Sequence, residues 1–216
     1  MTIRLLAWIL SFLFAGAAAS AELQPVEHFL RKATFENMKL SPDGKHLAVT
    51  VPQGDDQTVL AVIDRSSMKP TAVLGLRGKE HVDKFTWVSK DRLVVSVAKK
   101  EGMLDRPIPT GELFAVDADG KRSEMLFGYR LAASGSEASN IKKPTAERAS
   151  AYLIDTLPEK KNQVLIAVHP WLTSERGTFS EARLMNVNTG RTTKVATSPV
   201  PFGTFLADRE GHVRLS

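Results

Sequence analysis

The chain contains no cysteine, so no disulfide, thiolate zinc site or cysteine nucleophile can be built from it, and stability must come from packing. Charge of one sign is not concentrated anywhere. Lys and Arg exceed Asp and Glu by 29 − 24 = 5, with no run of five or more basic residues, which argues against a dedicated nucleic-acid binder. The five histidines, His28, His46, His81, His169 and His212, show no H-x-x-x-H pairing, so no metal site is expected. Gly44-Lys45, Gly78-Lys79 and Gly120-Lys121 lack the upstream glycine of a phosphate loop, and no cofactor is expected. What remains is ordinary globular material: 216 residues, 43% hydrophobic and 25% charged, enough for one domain or two small ones and too apolar for wholesale disorder.

The one long apolar run lies at the start. Arg4, then Leu5 to Ala19, then Ala19-Ser20-Ala21 before Glu22, has the three parts of a secretory signal peptide. Ala19 and Ala21 are the small residues that signal peptidase would recognise, with the cut between Ala21 and Glu22. The competing reading, an uncleaved anchor, needs roughly 20 apolar residues, and this run is shorter and ends in Ala and Ser. No cysteine follows for a lipid anchor. Removal of 1–21 takes away Arg4 alone, leaving 28 − 24 = +4. The expected location is periplasmic or secreted, with no stable membrane anchor.

Residues 22–37 carry helical spacing: Val26, Phe29, Leu30 and Ala33, with Pro25 in the first turn, Glu27 early and Arg31 and Lys32 late. A short amphipathic helix is expected there. From Met38 onward short β runs alternate with turn residues. Leu47, Val49 and Val51 alternate with Ala48 and Thr50, whereas Thr58 to Ile63 is apolar almost throughout, the mark of a strand covered on both faces. The order recurs through Phe85–Val88, Arg92–Val97 and Glu112–Val116, and again through Ala151–Ile154, Val164–Val168 and Ala182–Val187. Asp64-Arg65-Ser66-Ser67, Asp117-Ala118-Asp119-Gly120 and Asn188-Thr189-Gly190-Arg191 occupy corresponding hairpin turns.

Unit starts at Met38, Phe85, Ala146 and Phe202 give a repeat of about 45 to 60 residues, near the 40 to 50 of a four-stranded propeller blade. Lys99–Thr110, Ala132–Glu147 and Thr173–Glu181 read as surface loops. The expected fold is all-β: a partial β-propeller over 38–216, about three blades and the start of a fourth. A generic antiparallel sandwich is the alternative, but it has no reason to repeat this strand order. Open blade edges would invite self-association.

The turn Ser41-Pro42-Asp43-Gly44, followed by Lys45 and an alternating strand, resembles the repeat shared by Tol-system periplasmic propellers and the prolyl oligopeptidase family. Proline sets φ, Asp bonds local backbone and Gly accepts positive φ. With Pro25–Arg31, Pro109–Val116, Leu126–Arg130 and Ile154–Pro158, the chain resembles the amino-terminal propeller of exported bacterial serine peptidases of the dipeptidyl or acylaminoacyl type. The resemblance implies further blades and an α/β-hydrolase domain, which the propeller would cap, admitting short or unfolded peptides. The peptide partner then needs that hydrolase domain, and the helix near Val26 would pack against it. No Gly here has Ser two residues on, and Ser134-Gly135-Ser136 falls in a polar stretch, so no catalytic residue and no substrate-anchoring residue is assigned. The other implied reading is a stand-alone propeller scaffold like the Tol-system protein. His81-Val82-Asp83 has no nucleophile to serve, Asp55-Asp56 and Asp117-x-Asp119 read as turns rather than calcium ligands, and Trp87, Trp171, Phe85 and Phe114 read as blade core.

Overall fold

The computed structural model describes residues 35–54, 57–102, 104, 106–133, 146–171 and 177–215. The segment 1–34, with the signal sequence, Ala19, Ala21, His28 and the amphipathic stretch, lies outside the described residues, as do Asp55 and Asp56. Phe35 to Asn37 are not helical: the Glu36 amide donates to Thr50 O at 3.1 Å and the Thr50 amide donates to Asn37 O at 3.0 Å.

Among the described residues fourteen strands follow, in four antiparallel sheets. The first blade is β1 (Met38–Leu40), β2 (His46–Gln53), β3 (Gln57–Asp64) and β4 (Lys69–Leu74). The second is β5 (Glu80–Trp87), β6 (Arg92–Lys99), β7 (Ile108–Asp117) and β8 (Ser123–Phe127), ending in a 3-10 turn over Tyr129–Ala133. The third is β9 (Ala149–Asp155), β10 (Gln163–Pro170), β11 (Phe179–Asn186) and β12 (Thr192–Pro201). A fourth unit holds β13 (Leu206–Ala207) and β14 (Val213–Leu215). Within each blade neighbours in sequence are neighbours in the sheet. Four-stranded meanders stacked face to face in chain order make this a partial β-propeller rather than a two-sheet sandwich.

Three apolar clusters hold the stack. Ala48, Leu60, Val62 and Leu74 of the first blade meet Val82, Phe85, Trp87, Leu93 and Val95 of the second. Val94, Leu113, Ala115, Leu126 and Phe127 then meet Ala151, Val164, Ile166 and Met185 of the third. Leu157, Leu165, Ala167 and Ala182 meet Phe205 at the start of the fourth unit. Adjacent residues of β6, such as Val94 and Val95, therefore serve different clusters, which is why that strand reads as a continuous apolar run. Burying each Val or Leu is worth about 1.5–3 kcal/mol.

Several boundaries differ from the sequence expectation. The most apolar strands, β3, β6 and β10, are central in their blades, where both faces and both edges are covered. The second unit begins at Glu80 rather than Phe85, the third at Ala149 rather than Ala146, and the fourth at Leu206 rather than Phe202. Phe202 instead sits exposed in a turn at φ 56°. Ile108–Thr110 belong to β7 and Phe179–Glu181 to β11, although both stretches read as loop. Pro109 is tolerated in β7 because β8 reaches only as far as Leu113, so no neighbour on that side needs its missing N–H.

The short strand β1, paired along its length with β2, is also tied to the second blade. Lys39 Nζ donates to Phe85 O at 2.6 Å, and Trp87 Nε1 donates to Lys39 O at 3.1 Å.

Gly111 of the second blade lies hard against Ser150 of the third. It has φ 76°, and a Cβ there would lie 2.2 Å from the Cβ of Ser150. Gly44, in the β1–β2 turn, has a similar φ of 70° but open space around it. Gly111→Ala is expected to cost about 3 kcal/mol, adding overpacking to the left-handed penalty, and Gly44→Ala only about 1 kcal/mol. Urea unfolding of both variants checks this, and equal losses would mean that the blades close elsewhere.

Candidate functional site

The turn Ser41–Gly44 joins β1 to β2. Ser41 Oγ donates to Asp43 Oδ1 at 2.7 Å and accepts from the His46 amide at 3.0 Å, while Asp43 Oδ1 accepts from the Lys45 amide at 3.2 Å. Ser89 and Asp91 repeat the device between β5 and β6, with Ser89 Oγ donating to Asp91 Oδ1 at 2.6 Å. All the side-chain chemistry of the motif is thus used inside the turn.

The remaining sequence candidates are dispersed. His46 lies beside Trp87, ring centroids 6.3 Å apart. His81 Nδ1 faces Thr58 Oγ1 at 3.4 Å, whereas Asp83 Oδ2 accepts from Ser96 Oγ at 3.2 Å, so the two do not act together. Asp117 pairs with Arg92 and Arg122, and Asp119 with Lys121, so these carboxylates diverge around their hairpin. Phe85 and Trp87 are core, but Trp171 is 46% exposed, against expectation. Its indole N–H donates to Ser150 Oγ at 2.9 Å beyond the end of β10, where the sheet no longer covers it.

Sequence reasoning missed two cations paired with carboxylates, one buried and one half-buried. Arg92 opens β6 with its side chain almost fully buried. Its Nε donates to Val187 O of the third blade at 2.9 Å, and its terminal nitrogens reach Asp117 and Glu124 of its own blade. Arg130 follows the Phe127-Gly128-Tyr129 segment and binds Glu112 through both oxygens and Glu80 through one. Glu112 is 1% and Glu80 8% exposed. The Glu112 hydrogen bond, outweighing burial and helped by Glu80, holds the Arg130 guanidinium above its ordinary range. Only the register, which sets Arg92 opposite Asp117, could have signalled the first cluster.

Above Arg130 lies a half-exposed aromatic rim. The Tyr129 and Trp171 rings sit 5.2 Å apart, and Arg130 lies 5.9 Å from the Tyr129 ring centre. Tyr152 meets His169 edge-on at 5.5 Å. His169 Nδ1 lies 2.8 Å from Ser180 Oγ, and burial lowers its pKa. Ser180 is fully buried and meets Nδ1, so this pair is a packed hydrogen bond rather than an accessible nucleophile and base.

A groove of about 500 Å³ opens beside β14, lined by Lys160, Leu184, Val195, Ala196, Gly211, His212, Val213 and Arg214. His212 also belongs with Asp208 and Glu210 to a group whose possible ligand atoms lie within 4.8 Å of one another. Asp208 is already engaged there: it accepts from the Glu210 and His212 amides at 3.0 and 2.9 Å and pairs with Arg214. The His212 amide first, then Arg214, lowers its pKa to about 2.

No family model matches the chain. No curated protein matches it either. Among solved structures, a conserved, lipoprotein-like protein from Clostridium novyi NT is 11% identical, with a TM-score of 0.45 over 73% of this chain and 89% of that one. A puromycin hydrolase is 14% identical, TM-score 0.40, over 75% of this chain and 22% of the enzyme. A TolB-like protein from Agrobacterium tumefaciens is 11% identical, TM-score 0.40, over 76% and 51%. Likenesses of this size say nothing of activity. Among the described residues no helix is long and apolar enough to cross a membrane, which does not bear on strands.

Two outcomes follow. Arg130→Met strands two buried carboxylates and is expected to cost about 3 kcal/mol. Adding Glu112→Gln should recover part of that loss, as measured by urea unfolding. A double variant no better than the single would show that the ion pairs are not what is lost. Since the Asp208 pKa is depressed in the fold, its contribution is complete above about pH 4 and lost as pH falls through about 2. The His212 amide resonance should shift through that window, and in Asp208→Asn it should not.

Proposed function

We propose that this chain is the non-catalytic propeller portion of an exported serine peptidase of the prolyl oligopeptidase type, gating peptides toward a hydrolase domain outside these 216 residues. The observation that carries the reading is the use of the reactive groups. Glu80, Glu112, Asp117, Arg92 and Arg130 neutralise one another between and within blades, and the Ser180–His169 pair is shut inside a sheet face. What the described blades offer to a peptide is shape and a rim, Tyr129, Trp171 and Tyr152, rather than a nucleophile. The repeated turns and the motifs around Glu112 and Arg130 support the family, and the leader-like start supports export.

A second reading, a periplasmic scaffold that binds proteins, is favoured by one feature. The apolar side chains Leu184, Val195 and Ala196 border an open groove where the first two blades have a covered interface.

Purified chain should give no turnover of aminoacyl or prolyl chromogenic substrates. Reproducible turnover abolished by a serine-directed inhibitor would overturn the gating reading. The intact mass of the endogenous protein in periplasmic extract separates the two: a mass well above that of 216 residues supports the peptidase, and a mass matching Glu22–Ser216 supports the scaffold.

A further inference from the structure

Tyr129 and Trp171 meet where the second and third blades adjoin, each blade complete with four strands. Tyr129 follows β8 and Trp171 follows β10, and their rings stand 5.2 Å apart at 53° to one another. Both remain half-exposed, so the contact does little to dry either ring. The polar groups of Trp171 are already spent: its indole N–H donates to Ser150 Oγ and its backbone amide to Arg148 O, each at 2.9 Å. What the pair presents outward is ring surface.

The charges around the pair are sorted by depth. Glu80 and Glu112 are buried, and both bind Arg130, whose guanidinium lies beside the Tyr129 ring. Lys79 directly precedes Glu80, Arg77 stands two residues earlier, and Arg148 supplies the carbonyl that holds Trp171. The side chains of Arg77, Lys79 and Arg148 are exposed, and none has a carboxylate partner among the described residues. Four cations against two carboxylates leave 4 − 2 = +2, with the negative charge beneath and the free positive charge at the surface. Glu101, in the loop after β6, is already paired with Lys99 at 3.7 Å.

We propose that the Tyr129–Trp171 pair and the cations beside it bind an acidic peptide segment, with one aromatic side chain seated on the two rings and carboxylates on either side of it directed to Lys79 and Arg148. Ring contact supplies most of the affinity, and charge complementarity selects the sign of the peptide. Arg130 takes no direct part, because both of its carboxylate partners already hold it. A nucleic acid is the poorer fit: two rings in contact offer one seat rather than successive stacking platforms, and so small a net charge neutralises little of a phosphate backbone. The proposal deepens the reading of this rim as a surface for peptides and rests on that reading, but it needs neither a hydrolase domain nor turnover.

The test uses the full chain and unlabelled, capped peptides of equal length: phenylalanine flanked by glutamates, phenylalanine flanked by lysines, and alanine flanked by glutamates. By isothermal titration calorimetry in low salt the glutamate–phenylalanine peptide should bind about tenfold more tightly than either of the others. Salt at about 0.5 M should narrow the gap between the two charge forms and leave the gap between phenylalanine and alanine. Trp171→Ala should weaken the glutamate–phenylalanine peptide about tenfold, and Trp171→Phe, which keeps a ring there, should retain most of the affinity. Lys79→Glu with Arg148→Glu, both outside the buried ion pairs, should turn the preference toward the lysine peptide at an unchanged urea midpoint. Equal affinity for the two charge forms, with Trp171→Ala weakening both, would overturn the acidic class and leave the rim as a peptide surface. Absence of binding, or indifference to Trp171→Ala, would overturn both. A single-stranded oligonucleotide that displaces the glutamate–phenylalanine peptide at lower concentration than the unlabelled peptide itself would overturn the proposal in favour of nucleic acid.

Discussion

Sheets covered on both faces set the terms for this molecule. A four-stranded meander with apolar residues at consecutive positions, as in Leu93-Val94-Val95, cannot dry itself, because alternate side chains leave by opposite faces. Each blade therefore depends on a neighbour before and after it. The three apolar clusters are successive answers to the same requirement, and they hold neighbouring blades face to face without any disulfide between them.

Polar groups buried in these seams are satisfied by charge. Arg92 spans the second and third blades by donating to Val187 O while neutralising Asp117 and Glu124. Arg130 folds the segment after β8 back onto Glu80 and Glu112. Arg183 does similar work at the edge of the third blade, between Glu147 and Glu181. A buried ion pair contributes little net stability compared with an apolar replacement, but losing one member is costly. Such pairs fix which residues must sit opposite each other, a selectivity that interchangeable Val and Leu side chains cannot supply.

Much of the fold was legible in the primary structure. Thr58–Ile63 and Arg92–Val97 announced covered strands, and Asp64, Asp117 and Asn188 marked equivalent hairpins, because local turn chemistry and side-chain period act over a few residues. Strand starts were harder. Glu80 and Ile108 lie in stretches with mixed composition, and only pairing with Lys99 brings both into the sheet. The candidate site was the least legible part. Glu80, Glu112 and Arg130 are far apart in sequence and ordinary in type, so nothing short of the tertiary fold sets them together. Trp171 misled for the opposite reason: its type suggests burial, whereas its place past the last paired residue of β10 leaves it half in solvent.

The innermost strand of the first blade leans on the second, through Lys39 to Phe85 and Trp87 to Lys39. A polypeptide made from its amino end exposes β1 to solvent before its clamp has been synthesised. The first blade can form its β2–β3–β4 core on emergence, but β1 settles only when β5 is present. The first blade of this protein is therefore not an independent folding module: closure of its inner strand is deferred until the second blade begins, so a boundary between cooperative segments runs through that blade rather than after it.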